Sequence, residues 1–386
     1  MKNETIKFSR KKTILFSCII IGIFLAIAEV ASYFVLRNLS DTGIYGERSL
    51  QNNFHPFLGW EHAPNARLKT TKSFSKQETW INTDARGLSI TPISYDKPQL
   101  NIVVSGGSTM FGVGSISNAT TVPSLIEKEI QARLGIRAEV HNLGVRGYQS
   151  FQEMLKVREF LMGQDVDLVL AISGRNDSGI ALRQRDPKYA LMSRHVYLNA
   201  VPLVRRAEQQ QPIVMNIDGY LRSISYFADL VIRIVRRAGG WTGGAIVADA
   251  DAISDQDIFA NVEKRAQATL LHFSIMKTVA EEFGADFKFI LQPTFYSWKD
   301  YDKNTYPDIP KGTPNNDVYE DRFFAEIQRQ GIDLPVYNLT DAMDGLTEPP
   351  YIDNTHYTDT GAGVLASAVV DMIELDLRRL ADEKTQ

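Results

Sequence analysis

Cysteine is nearly absent from this chain. Cys18 is the single one among 386 residues, so no disulfide can join two of its parts. Histidine is scarce, at six, and no grouping of His, Cys and carboxylates has metal-ligand spacing. No metal and no cofactor are therefore expected. No long basic stripe is present and the formal net charge is −4, which argues against a nucleic-acid partner. The glycine-rich stretch Gly239-Gly240-Trp241-Thr242-Gly243-Gly244 lacks a following Gly-Lys-Ser/Thr, so it is not a phosphate-binding loop. What remains is ordinary globular composition, 44% apolar and 23% charged, enough for one large α/β domain or two small ones.

The long apolar run lies at the N-terminus. Residues 1–12 carry Lys2, Lys7, Arg10, Lys11 and Lys12 against Glu4, and Ile14 to Leu36 is almost wholly apolar. About 20 apolar residues cross a bilayer as a helix. A transmembrane anchor over 13–36 is expected, with the basic tail cytoplasmic and the rest of the chain periplasmic or extracellular. The competing reading is a signal peptide cleaved near Ala26-Ile27-Ala28. The anchor is preferred because the apolar run continues through Val30 and Phe34. Glu29 is expected near the outer interface, where a carboxylate costs less than at the midplane. Residues 37–98, rich in Pro and Gly, read as a stalk with short strands; His55 and His62 there read as surface or packing residues.

From Asn101 the pattern alternates between short β-branched runs and helical periodicity. Strands are expected at 101–105, 138–143, 166–172, 286–293 and 336–339. Helices are expected at about 120–134, 150–162, 256–283, 317–330 and 358–381. That order implies right-handed βαβ units and a mainly parallel sheet. Residues 180–255 interrupt it as a helical insert. Within the insert, Leu221, Ile224, Phe227, Leu230, Val231, Ile234 and Val235 form an apolar stripe bordered by Arg222, Arg233, Arg236 and Arg237. A helix capping the body is the plainer reading; one resting on a membrane or gating a site is the sharper one.

The first strand runs into Ser105-Gly106-Gly107-Ser108-Thr109. A serine at the carboxyl end of a sheet strand sits where open α/β sheets place their sites, so Ser108 is the candidate nucleophile. Asp353 and His356, three apart ahead of the last helix, can supply acid and base on one loop. Asp359 is a rival partner for His356, though its place suits a helix cap. Gly144, after the second strand, can offer a backbone N–H to an oxyanion, and Asn176, after the third, a side-chain amide. Arg175 and Asp177 read as loop residues.

Taken together these segments resemble the SGNH (GDSL-type) hydrolase family. The resemblance covers roughly 105–360, in the family's order: Ser105–Thr109, Asn142-Leu143-Gly144-Val145-Arg146-Gly147-Tyr148, Gly174-Arg175-Asn176-Asp177 and Asp353-Asn354-Thr355-His356. One departure is Gly107, where the family name implies aspartate. The resemblance implies a three-layer α/β/α sandwich over 99–386. It also implies a catalytic Ser108–His356–Asp353 set with Ser108 N–H, Gly144 N–H and Asn176 Nδ2 as the oxyanion hole. The expected activity is a membrane-anchored serine esterase acting on O-acyl esters, with acetylated cell-envelope carbohydrate as the expected partner. The alternatives are a polysaccharide O-acetyltransferase using the same residues and a catalytically silent glycan-binding protein. The oligomeric state cannot be read from the sequence.

Overall fold

The computed structural model describes residues 10–39, 52–55, 57–70, 79–181, 225–237, 255–300, 316–331 and 334–385. The glycine-rich stretch at 239–244 lies outside the described residues. In chain order the strands are β1 (Asn52–His55), β2 (Gly59–His62), β3 (Arg67–Lys69), β4 (Trp80–Asn82), β5 (Leu100–Ser105), β6 (Ala138–Asn142), β7 (Leu168–Ser173), β8 (Asp286–Leu291) and β9 (Val336–Asn338). The α-helices are α1 (Arg10–Leu39), α2 (Ser108–Phe111), α3 (Val122–Leu134), α4 (Ser150–Leu161), α5 (Arg175–Ala181), α6 (Tyr226–Arg237), α7 (Asp255–Glu282), α8 (Asn316–Gln330) and α9 (Asp359–Glu383). The chain divides into two compact units, one of residues 1–49 with 202–247 and one of 50–201 with 248–386.

The larger unit is an α/β sandwich on a five-stranded parallel sheet in the order β6-β5-β7-β8-β9. The sheet is buried on both faces because its strands carry apolar residues at odd and even positions alike. Ile102, Val104, Leu168, Leu170 and Ile172 pack on one side with Ile126 and Ile130 of α3 and Leu365, Val369 and Ile373 of α9. Val103, Val169, Ala171, Phe289 and Leu291 pack on the other with Val157 of α4, Phe273 of α7 and Phe323 of α8. The expected three layers thus arise from period-two alternation along each strand. α3 begins with Thr121 accepting from Ser124 N and a proline in its first turn, and ends at Gly135 in the left-handed region.

Residues 52–82 form two antiparallel hairpins, β1–β2 and β3–β4. Trp60 packs against Tyr148, donates from its indole to Arg146 O at 3.1 Å, and accepts at its carbonyl from Tyr148 Oη at 2.5 Å. Leu68 and Ile81 pack with Phe111 and Val113, the segment just past Ser108. His62 is buried against the Phe111 ring, centroids 3.9 Å apart, and burial holds its imidazole well below its ordinary range. His55 takes amide hydrogens from Phe57 and Leu58 on Nδ1.

In the smaller unit α1 contains an apolar stretch of 21 residues, Leu15–Val35, long enough to cross a membrane. The part of the insert stripe from Phe227 to Val235 lies on α6, which packs against α1; Leu221 and Ile224 lie outside the described residues.

Candidate active site

β5 delivers the chain to the centre of the sheet edge and ends in two glycines. Ser108 then opens α2, whose remaining residues Thr109, Met110 and Phe111 are buried. The burial matters, because it fixes the backbone from which the Ser108 hydroxyl projects. As the first residue of a helix, Ser108 has an amide with no intrahelical acceptor.

Far along the chain, residues 351–357 close on themselves. Tyr351 and Tyr357 form a β-bridge and Ile352 N donates to His356 O at 2.8 Å. Inside this loop Asp353 Oδ1 accepts from Thr355 N and His356 N, each at 2.8 Å. The same carboxylate faces the imidazole, with His356 Nδ1 3.0 Å from Oδ1 and 3.1 Å from Oδ2. With Nδ1 carrying its proton toward Asp353, Nε2 is left as an acceptor. It lies 2.6 Å from Ser108 Oγ, across 248 positions of sequence. Asp359 does not join them. It lies in the first turn of α9, which Thr358 caps, and its Oδ1 takes Ile116 N.

The three oxyanion-hole candidates fare differently. Asn176 Nδ2 donates one hydrogen to Tyr148 O at 2.6 Å, which leaves its second hydrogen uncommitted. A Cβ built on Gly107 would lie 2.5 Å from this Nδ2, so the missing side chain at Gly107 is the space the asparagine amide occupies. The Gly144 N–H, in contrast, points to Asn142 Oδ1 at 2.9 Å. Asn142 also donates from Nδ2 to Met110 O, tying α2 to the loop after β6. The expectation that Gly144 presents a free donor is therefore corrected: a neighbouring side chain holds it. Ser108 N–H and Asn176 Nδ2 are the donors the geometry leaves available.

Three residues that sequence patterns did not single out organise this edge. Arg265 of α7, fully buried, pairs with Asp177 and donates to Gln149 Oε1 at 2.7 Å. Asp177 also accepts from Ser150 N, Ser150 Oγ and Thr269 Oγ1. Burial raises the Asp177 carboxyl, but Arg265 and these bonds outweigh it and leave it below the ordinary range. The charge anchors α5 one residue past Asn176. Thr355 is the second; its hydroxyl accepts from Arg175 Nε at 3.3 Å. Glu320 is the third, 3.0 Å from Arg175 Nη1. Arg175, which lies over the Tyr296 ring, thereby joins α5 to the loop that carries His356. No local spacing signals these contacts, since their partners come from α7, α8 and the 351–357 loop.

One other group of possible ligands stands apart. His55, Glu61 and Glu159 bring ligand atoms within 4.8 Å of one another. His55 Nδ1 already accepts two amide hydrogens, so the neutral ring carries its proton on Nε2, the nitrogen facing Glu159 at 3.8 Å. Glu61 is paired with Lys156. His55 Nδ1 and Glu61 are thus already engaged by residues outside the group.

No family model matches the chain, and no curated protein does. Among solved structures it is similar to a lipase/acylhydrolase from Enterococcus faecalis, with 14% identity, 71% of this chain and 95% of that one covered, and a TM-score of 0.35. It is also similar to an SGNH-hydrolase family esterase, with 13% identity, 74% and 99% covered, and a TM-score of 0.32. A third is a catalytic mutant of an acetylxylan esterase from Geobacillus stearothermophilus, with 10% identity, 70% and 93% covered, and a TM-score of 0.34. At such identities and scores they carry no residue role to this chain. In the fold itself Ser108 follows the first strand of the parallel sheet, Gly144 the second and Asn176 the third, and Asp353 and His356 precede the last helix.

Proposed function

We propose that this chain is a serine esterase with Ser108 as nucleophile, His356 as base and Asp353 as the acid that orients it. The observation that carries this is the unbroken line of contacts from Ser108 Oγ to His356 Nε2 and from Nδ1 to Asp353. Ser108 Oγ attacks the ester carbonyl as its proton passes to Nε2. The tetrahedral oxyanion takes hydrogen bonds from Ser108 N–H and Asn176 Nδ2. The imidazolium protonates the departing alkoxide, leaving an acyl-Ser108 ester. Water, deprotonated by His356, then attacks that ester; the carboxylic acid leaves and Ser108 recovers its proton. The Asp353 carboxylate fixes the tautomer throughout and stays ionised. Gly144 N–H joins the oxyanion hole only if it turns away from Asn142.

We place the enzyme in the membrane through α1, with the sandwich outside, and propose an O-acyl ester on an envelope carbohydrate as substrate. Location supports that choice; no residue of the site does. The test is turnover of p-nitrophenyl acetate together with labelling by a fluorophosphonate. The wild type should do both, and Ser108→Ala should lose both with an unchanged thermal midpoint. Retained turnover in Ser108→Ala refutes the assignment.

A further inference from the structure

α1 and α6 meet at a carboxylate. Glu29 Oε2 accepts from Ser225 Oγ at 2.8 Å and from Phe227 N at 3.1 Å, and Oε1 accepts from Tyr226 N at 2.5 Å. Ser225 also accepts from Ala228 N at 3.0 Å, as an N-cap. Glu29 thus satisfies amides that open α6 and would otherwise be orphaned. Rings of Tyr33 and Tyr226 pack edge to face beside it, centroids 5.2 Å apart.

The position of this joint is telling. Glu29 lies six residues before Val35, the end of the apolar stretch, or about 9 Å along the helix axis. If α1 spans, the carboxylate lies within the outer leaflet. A carboxylate at such depth requires hydrogen-bond partners, and α6 supplies three. α6 must then begin at that depth as well. Its sequence places Tyr226, Phe227, Leu230, Val231 and Ile234 along one side and Asp229, Arg233 and Arg236 along the other. Val231 and Ile234 are exposed, by 40% and 59%. On α1, Ala28, Glu29, Ser32 and Tyr33 form the covered stripe, while Ile20, Phe24, Ile27 and Val30 are each more than half exposed. The bare apolar residues of α6 therefore adjoin a bare apolar surface of α1.

We propose that α6 is an interfacial helix seated in the outer leaflet, hooked to the anchor by Glu29. Its apolar side lies among acyl chains and its arginines meet the phosphates of anionic phospholipids. This rests on the reading of α1 as a membrane span and adds to it a second contact with the bilayer, some 196 residues away in sequence.

The test uses the full chain with Cys18→Ser, so that each introduced cysteine is unique. Nitroxide labels at Ile20→Cys, Ile234→Cys and Arg236→Cys are compared in vesicles of phosphatidylcholine with phosphatidylglycerol, by collision with oxygen and with a water-soluble nickel chelate. The labels at positions 20 and 234 should be reached by oxygen and shielded from nickel, and the label at 236 should show the reverse. Glu29→Leu should wet the label at 234 while leaving the one at 20 shielded. Position 234 open to nickel in the parent chain, with position 20 still shielded, overturns the proposal alone. Shielding of position 234 from both reagents means protein covers it and also overturns the proposal. Nickel access at position 20 removes the membrane span itself.

Discussion

Gly107→Ala adds one carbon, and the structure says where that carbon goes. It falls 2.5 Å from Asn176 Nδ2, whereas ordinary contact begins near 3.4 Å. One of the two must retreat by about 0.9 Å, the difference between those distances. The φ at Gly107 is −86°, outside the left-handed region that favours glycine. The amide cannot simply swing away, because Tyr148 O holds it at 2.6 Å. The displacement therefore falls on the donor proposed for the oxyanion. Loss of one such donor costs about 10²–10³ in kcat, or about 2.7–4 kcal/mol. Displacement rather than deletion should give a loss near the lower end, about 10²-fold. The assay is kcat for p-nitrophenyl acetate in Gly107→Ala, Asn176→Ala and the double variant, with thermal midpoints to show that each folds. If the carbon acts through Asn176, the double variant is no worse than Asn176→Ala alone. Wild-type kcat in Gly107→Ala refutes the reasoning, and so do fully additive losses.

Other outcomes follow from buried charge. Burial pushes the Glu127 carboxyl up to about 7, although Val140 N donates to it at 2.9 Å. Its raised folded value means the folded state keeps a proton that the unfolded chain gives up, so its contribution is full below pH 4.5 and is lost as pH rises through 7. Glu127→Gln should stabilise the fold by roughly 1–3 kcal/mol at pH 8 and by nothing measurable at pH 4; equal midpoint shifts at both pH values would contradict this. His141 and His272, held down to about 4 mainly by burial, act in the other sense. Their contribution is present above pH 6.5 and is lost as pH falls toward 4, so thermal midpoints of the double variant His141→Gln/His272→Gln should fall less steeply over that window. Asp177→Asn leaves Arg265 charged and buried, and should cost about 3–5 kcal/mol in chemical denaturation. Adding Arg265→Met should return much of that loss; no recovery would mean that Asp177 acts through Ser150 and Thr269 rather than through the charge.

The order of strands and helices was legible because the sheet strands are short runs built on apolar residues and each helix over them repeats at helical spacing. β5 through β9 accordingly lie within a residue or two of the expected runs. Asp353 and His356 were legible as a pair because three residues of separation suffice to bring carboxylate and imidazole together on one loop. Gly144 shows the limit of such reading. A glycine after a strand can offer its amide, yet whether it does depends on the rotamer of Asn142 two residues earlier. Arg265 was invisible for a different reason: on a long amphipathic helix an arginine reads as solvated, and only the fold turns it inward toward Asp177. Glu29 stood out as a carboxylate in an apolar run, but its partner Ser225 lies 196 residues away, beyond the reach of any local pattern.

The loop at 351–357 holds acid and base on a single closed turn, with Asp353 gripping both the backbone and the ring of His356. The two therefore travel as one cartridge. Breathing of the sheet or a shift of α2 would part the hydroxyl from the imidazole before it parted the imidazole from its carboxylate. Strain in the sheet or α2 would therefore open the Ser108–His356 contact first and leave the His356–Asp353 pair whole.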